Sequence, residues 1–362
     1  MRIAQIAPLA ERCPPALYGG TERVVSYLTE ELVAQGHDVT LFASGDSITA
    51  AELDACSERA LRLSPGVIDG LPHHMIMLEK VAQRAHEFDV LHFHIDLLHA
   101  PVVREFAQRT VTTLHGRLDL PDLKPFYATF PDLPLVSISH AQRLPMPPVN
   151  WIGNVYHGLP RDLLAFNPRK DGYLAFLGRI SPEKRPDRAI EIAARAGLPL
   201  KIAAKIDRVD QPYWDEHIAP LVRANANVEY VGEITELQKS EFLSGARALV
   251  FPIDWEEPFG LVMIEAMACG TPVIAFGRGS VPEVIDDGVT GFIVNDVDEA
   301  VQALERLDTL DRVGVRERFE TCFTVERMAR DYVEIYARMA ASSHARGFIA
   351  ASRPAAPAPL AL

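Results

Sequence analysis

Two carboxylates stand eight residues apart in the stretch Asp254-Trp-Glu-Glu-Pro-Phe-Gly-Leu-Val-Met-Ile-Glu-Ala-Met-Ala-Cys-Gly270. They are Glu257 and Glu265. The apolar runs Arg247-Ala-Leu-Val-Phe-Pro252 and Thr271-Pro-Val-Ile-Ala-Phe276 flank the stretch and read as buried strands. Between them, Gly260 to Cys269 has helix-forming composition, and Gly270 supplies a stop. Glu257 therefore falls in a loop, and Glu265 about one and a half turns into a helix. The backbone N–H groups of Phe259, Gly260 and Leu261 lie at the helix start, where donors and dipole together favour a phosphate. Gly260 has no side chain to hold an anion off. Carboxylates beside such a cradle suit a ligand with both hydroxyls and phosphates, of which a nucleotide sugar is one. A solvated acidic loop ahead of a helix satisfies the same spacing, so spacing alone does not decide.

Cations occur at a second strand end. Leu177-Gly-Arg-Ile-Ser-Pro-Glu-Lys-Arg-Pro-Asp187 places Arg179 and Lys184 around a loop that opens a helix over 186–196. Two cations at a helix start suit a diphosphate; a solvated basic loop is the alternative. Lys205 ends the next strand and is a weaker third candidate. Near the N-terminus, Gly19-Gly20 precede a helix over 22–35 for which Thr21 reads as the N-cap. The sequence has no G-x-G-x-x-G dinucleotide fingerprint. His92, His94, His99 and His115 invite comparison with a metal cluster. No Cys or suitably spaced carboxylate joins them, so a metal site is not read there.

Glu257-Pro-Phe-Gly-Leu-Val-Met-Ile-Glu265 and the following Ala266-Met-Ala-Cys-Gly-Thr-Pro-Val273 resemble the E-x7-E motif of the retaining glycosyltransferases of family 4. Gly178-Arg-x-x-x-x-Lys184, Tyr18-Gly-Gly-Thr-Glu22 and Asp89-Val-Leu-His-Phe-His94 resemble other segments of that family. The resemblance implies a GT-B fold, with two Rossmann-like parallel-sheet domains facing across a cleft. It implies that Arg179 and Lys184 neutralise the leaving diphosphate. Gly19 and Gly20 would approach the donor sugar and phosphates, and His115 would lie beside the sugar. Glu257 would bind sugar hydroxyls and Glu265 the ribose. Val231 and Gly232 would pack against the nucleobase. The reaction implied is transfer of a hexose from a UDP- or GDP-linked sugar to a glycan, lipid-linked or small-molecule acceptor, with retention. No cofactor or metal is then required, and no Asp-x-Asp triplet of the sort that metal-dependent transferases use is read. A nucleotide-sugar epimerase of the same build and a non-catalytic nucleotide-sugar sensor are the alternatives. His157-Gly-Leu-Pro160 stands where the family has an Asn-Gly-x-Asp turn.

The chain's 362 residues suffice for two domains, with 48% hydrophobic and 23% charged residues. Alternating strand and helix patterns indicate parallel sheets. The expected division is 1–165 for acceptor binding and 166–323 for the nucleotide sugar. A last helix over 324–340 should return to the first domain, followed by a disordered tail over 341–362. Both halves are acidic, with 12 basic against 18 acidic residues over 1–160 and 24 against 31 over 161–362. Nucleic acid is therefore not an expected partner, and membrane contact is at most peripheral. Four scattered cysteines and the lack of a leader-like start fit a cytoplasmic protein.

Overall fold

The computed structural model describes residues 1–16, 19–62, 64–169 and 172–351, from 342 onward as backbone alone. Tyr18 of the glycine loop and residues 352–362 of the expected tail lie outside the described residues.

Two all-parallel sheets organise the chain. The first holds β1 (Arg2–Ile6), β2 (Asp38–Ser44), β3 (Glu52–Ser57), β4 (Val90–Phe93), β5 (Thr110–Thr113), β6 (Leu135–Ser137) and β7 (Trp151–Asn154), in the order β3-β2-β1-β4-β5-β6-β7. The second holds β8 (Tyr173–Arg179), β9 (Leu200–Lys205), β10 (Val228–Gly232), β11 (Ala246–Phe251), β12 (Val273–Phe276) and β13 (Gly291–Val294), in the order β10-β9-β8-β11-β12-β13. Helices cover the faces, giving two Rossmann-like halves and the GT-B architecture. The central strands are buried on both faces and mostly apolar, although Gln5, His92 and the threonines of β5 are buried among them.

Several elements differ from expectation. β3 falls within 46–73, a stretch without clean periodicity; it is an edge strand whose residues are mostly only partly buried. β7 follows the proline run over 144–150 and is likewise an edge. The sequence pattern reads as a helix over 75–88, but the helix begins at Leu71, because Pro72 fits a helix's first turn, and it runs to Arg84. The first helix spans Gly20–Ala34, and its N-cap is Gly19 rather than Thr21. A Cβ at Gly19 would come within 2.8 Å of Pro15 Cβ, so the loop closes only around a glycine. The last helix spans Val325–Ala351, which corrects the expected end at 340 and the disordered tail for residues 341–351. Those residues are rich in alanine, a strong helix former, and the first proline beyond them is Pro354.

That last helix leaves the second half and lies on the first sheet. Met328, Ala329, Tyr332 and Ile335 pack with Ile3, Val24, Leu28, Val90 and Val111. Where it crosses, it is tied to the segment joining the two sheets. Leu159 N–H donates to Phe323 O and Val325 N–H donates to Leu159 O, each at 2.9 Å.

Inside this packing, the Tyr336 hydroxyl meets His92 Nδ1 at 2.7 Å and accepts from Gln5 Nε2 at 3.3 Å. Tyr336→Phe leaves two buried polar groups short of a partner. It should destabilise the protein by about 1–3 kcal/mol. Thermal unfolding followed by circular dichroism checks this; an unchanged melting temperature would show that the helix contributes only its apolar face.

Candidate active site

In open parallel sheets, ligands bind beyond the strands' carboxyl ends, where the strand order reverses. Here the reversals lie between β1 and β4 and between β8 and β11. Both open on one cleft of about 560 Å³, a usual size for a small-molecule site. Gly19, Gly20, His115, Arg179, Lys184, Lys205, Glu257, Phe259, Gly260, Leu261 and Glu265 all line it. Val231 and Gly232 do not: Val231 is 42% exposed on the edge strand β10. Glu233, Ile234 and Glu236, just beyond that strand, take their place at the cleft. The turn reaches the site, not the strand.

Two helix N-termini meet at this cleft. The helix Leu261–Ala268 starts from Gly260, which is left-handed at φ 81°. A side chain there would be strained, and its Cβ would meet Met263 Cε at 2.8 Å. The helix Gly20–Ala34 starts opposite, and a Cβ at Gly20 would lie 3.7 Å from Leu261 Cδ1. Each start carries partial positive charge, so the space between them favours an anion. Glu265 is the fifth residue of its helix, one turn in, and is buried.

The cations are matched by carboxylates. Arg179 donates to Glu183 Oε1 at 2.5 Å and approaches Asp210 Oδ2 at 3.3 Å. Lys184 pairs with Glu257 and lies 4.9 Å from the ring centre of Trp255. Trp255 Nε1–H also donates to Glu257, at 3.1 Å. Lys205 pairs with Asp207 at 2.8 Å. Lys239 donates to Glu265 Oε1 at 2.7 Å and to Glu236 at 3.3 Å, and Glu236 pairs with Arg23 of the first half. Burial pushes the Lys239 ammonium down, against the pull of Glu265. Burial likewise raises Glu22, which lines the cleft, although backbone hydrogen bonds oppose the rise.

The histidines form a hydrogen-bonded chain. His94 Nε2 meets Gln5 Oε1 at 2.8 Å, and His94 Nδ1 meets His115 Nε2 at 2.8 Å. Because Gln5 Oε1 only accepts, His94 carries its proton on Nε2 and accepts from His115 through Nδ1. His115 Nδ1 is then an acceptor, and it is buried without a partner among the described residues. His157 stacks on His115 with centroids 5.2 Å apart and meets Phe259 edge-on at 4.9 Å. His92 and His99 bond to Thr113 and Thr112 at 2.7 Å. Among the described residues, no group of three or more His, Cys, Asp or Glu side chains is placed to hold a metal ion. The letters Asp-x-Asp do occur, at Asp296-Val-Asp298, which corrects the sequence reading. Asp296 caps the helix Val297–Glu305, Asp298 pairs with Arg195, and neither lines the cleft.

Sequence reading missed Arg23, Lys239, Glu236, Trp255 and His157 as cleft residues. Trp255 and His157 stood within motifs already singled out. Arg23, Glu236 and Lys239 had no signal beyond a charge near a helix start.

The neutral histidines carry a pH consequence. Burial pushes His99 and His115 down to about 3. Between about pH 6.5 and 3 the unfolded chain binds protons that the folded chain refuses, so stability is full above 6.5 and falls as pH drops. Each of these two should cost about 1.4 kcal/mol between pH 7.5 and 5.5. Melting temperatures across that range check this; His99→Asn should flatten the decline, and an identical slope in the variant would contradict it.

Comparison with known proteins covers both halves. The family model Glycosyltransferase Family 4 matches residues 18–152, and Glycosyl transferases group 1 matches 165–319. Alpha-maltose-1-phosphate synthase of Mycolicibacterium smegmatis is 33% identical over 187 residues, covering 46% of this chain and 48% of that protein. D-inositol 3-phosphate glycosyltransferase of Mycobacterium avium is 33% identical over 145 residues, covering 39% and 34%. The chain thus matches about half, or less, of the length of these curated relatives. Among solved structures, sucrose-phosphate synthase of Thermosynechococcus elongatus aligns with a TM-score of 0.75 at 21% identity, covering 94% of this chain and all 100% of that one. AviGT4, a glycosyltransferase involved in avilamycin A biosynthesis, aligns at 0.72 and 22%, covering 94% and 98%. HepE of Anabaena, in complex with UDP and glucose, aligns at 0.69 and 18%, covering 95% and 100%.

Proposed function

The chain belongs to the glycosyltransferases of family 4, and we propose that it moves a hexose from a nucleotide diphosphate sugar to an acceptor hydroxyl, with retention and without a metal. One observation carries this reading: two helix N-termini and the pair Arg179 and Lys184 converge on the crevice between the two sheets' carboxyl ends. As the bond from anomeric carbon to phosphate oxygen breaks, the sugar becomes oxocarbenium-like and negative charge grows on the diphosphate. Fixed donors aimed at that charge are where electrostatic catalysis is strongest. Arg179, Lys184 and the amides at Phe259 to Leu261 take this role. Glu257, held by Lys184 and Trp255, binds sugar hydroxyls. Glu265 binds the ribose. His115 offers its unprotonated Nδ1 to a sugar hydroxyl. The acceptor enters from the first half, on the face the diphosphate leaves, and the leaving phosphate takes its proton.

The donor is read as UDP- or GDP-linked, with UDP the first probe because HepE was crystallised with it. The acceptor is a saccharide, lipid-linked or small-molecule hydroxyl. No helix among the described residues is long and apolar enough to cross a membrane. A cytoplasmic location belongs to the same proposal, and the four cysteines are free.

Lys184→Ala should lower kcat by about 10²- to 10³-fold while leaving KM for the donor within a few-fold, because the charge Lys184 meets grows only in the transition state. Glu265→Ala should instead raise donor KM, since the ribose is held alike before and during reaction. Release of nucleoside diphosphate, measured side by side on folded variants, checks both. An unchanged kcat in Lys184→Ala would reduce the basic loop to a solvated face. The same assay separates the alternatives, because a sensor releases no diphosphate and an epimerase alters the sugar without releasing it.

Turnover should also persist at saturating donor in excess chelator. Loss of activity restored by magnesium or manganese would overturn metal independence.

A further inference from the structure

Glu265 sits in a relay of four charges that crosses the cleft. Lys239, on the helix Glu236–Ser244, bonds to Glu265 at 2.7 Å and to Glu236 at 3.3 Å. Glu236 pairs with Arg23, which comes from the first helix of the other half. Glu265, Lys239 and Arg23 are all buried, and all four residues line the cleft. Glu236 Oε1 is buried and meets no hydrogen-bond partner among the described residues.

A buried ion pair is a poor way to gain stability, because desolvation offsets most of its attraction and apolar residues of similar volume often serve as well. A relay kept at the wall of a ligand cleft therefore calls for another account. The three members from the second half, Glu265, Lys239 and Glu236, sum to one negative charge, where a polyanionic nucleotide must arrive. Arg23 supplies the charge that neutralises them, and it does so only when the halves are together. Lys239 meanwhile fixes the Glu265 carboxylate. A carboxylate accepts several hydrogen bonds at once, so this contact does not compete with a ribose.

We propose that Lys239 is a positioning residue that orients Glu265 for the ribose hydroxyls, and that Arg23, through Glu236, makes this orientation depend on a closed cleft. The proposal rests on reading Glu265 as the ribose carboxylate. It also assigns donor selection partly to a residue of the half that would bind the acceptor.

The test is calorimetric binding to the full chain of UDP against 2′,3′-dideoxy-UDP, with the matching guanosine pair run in parallel. The wild type should prefer the ribonucleotide by about tenfold or more. Lys239→Met should lose that preference to within about twofold while holding the dideoxynucleotide as the wild type does. Lys239→Arg should restore most of it, and Arg23→Met should reduce it in the same direction. A purely structural relay would lower the melting temperature without touching the ratio. A Lys239→Met protein that keeps the wild-type preference overturns the positioning role and leaves the Glu265 reading standing. A wild type with no preference overturns the Glu265 reading and this proposal with it. If Lys239→Met does not fold, Arg23→Met decides alone, and its unchanged preference overturns the proposal.

Discussion

The helix Leu261–Ala268 starts where it does because residue 260 takes a left-handed backbone with no Cβ in the way. Much follows from that turn. It points the helix's N-terminus into the crevice where β8 and β11 part. It places Glu257 before the turn, against Lys184 and Trp255, and Glu265 one turn after it, against Lys239. It sets Phe259 where His157 of the connecting segment packs edge-on against it. A residue with a side chain at 260 would have to move Met263 and leave the left-handed region, and every one of these contacts is built outward from it.

How much was legible in the sequence depends on burial. The second half's sequence reads as strands over 173–178, 200–204, 228–231, 248–251, 272–275 and 291–294, and β8 to β13 lie within two residues of these spans, because strands buried on both faces read as apolar runs cut by glycine and turn residues. β3 and β7 were not legible, since edge strands bury little and carry mixed residues such as Glu52, Asp54 and Asn154. The Thr21 cap failed for a tertiary reason. A good capping residue lost to the close approach of Pro15 on Gly19, which lies outside the reach of local propensity.

The site was legible as types and spacing, and illegible as pairing. Arg179, Lys184 and Lys205 read as cations awaiting phosphate, yet each meets a carboxylate in the folded chain. That is what a cleft with many buried charges requires when the chain as a whole is at −13. The partners are often remote: Arg23 and Glu236 are 213 residues apart, and Lys184 and Glu257 are 73 apart. Phe242 and Leu243, three and four residues on, mark the buried side that Lys239 shares, but Lys239 sits amid polar residues and nothing local says that its charge is paired rather than solvated. On the proposed function, an incoming diphosphate meets cations already engaged. It gains most where the protein's own donors are fixed by the backbone, at the two helix starts, since those donors have no carboxylate to give up.

The connecting segment shows how the halves communicate. His157 occupies a place where the sequence departs from the family turn, and the folded chain puts its ring between two surfaces of the proposed site. It stacks on His115, which ends a chain of hydrogen bonds through His94 and Gln5 to the last helix, and it touches Phe259 at the proposed phosphate cradle. Two residues further on, Leu159 is bonded on both sides to the chain at 323–325, so the two crossings between the halves are pinned to one another. A rigid change in cleft width that keeps those bonds is a rotation about them. Because His157 lies beside that axis, its contacts with both halves change little in such a rotation. Arg23 and Glu236, which meet across the cleft from opposite halves, must instead part. On the proposal above, closure is thus registered at the charge relay, while the proposed histidine acceptor keeps its setting whether the cleft is open or shut.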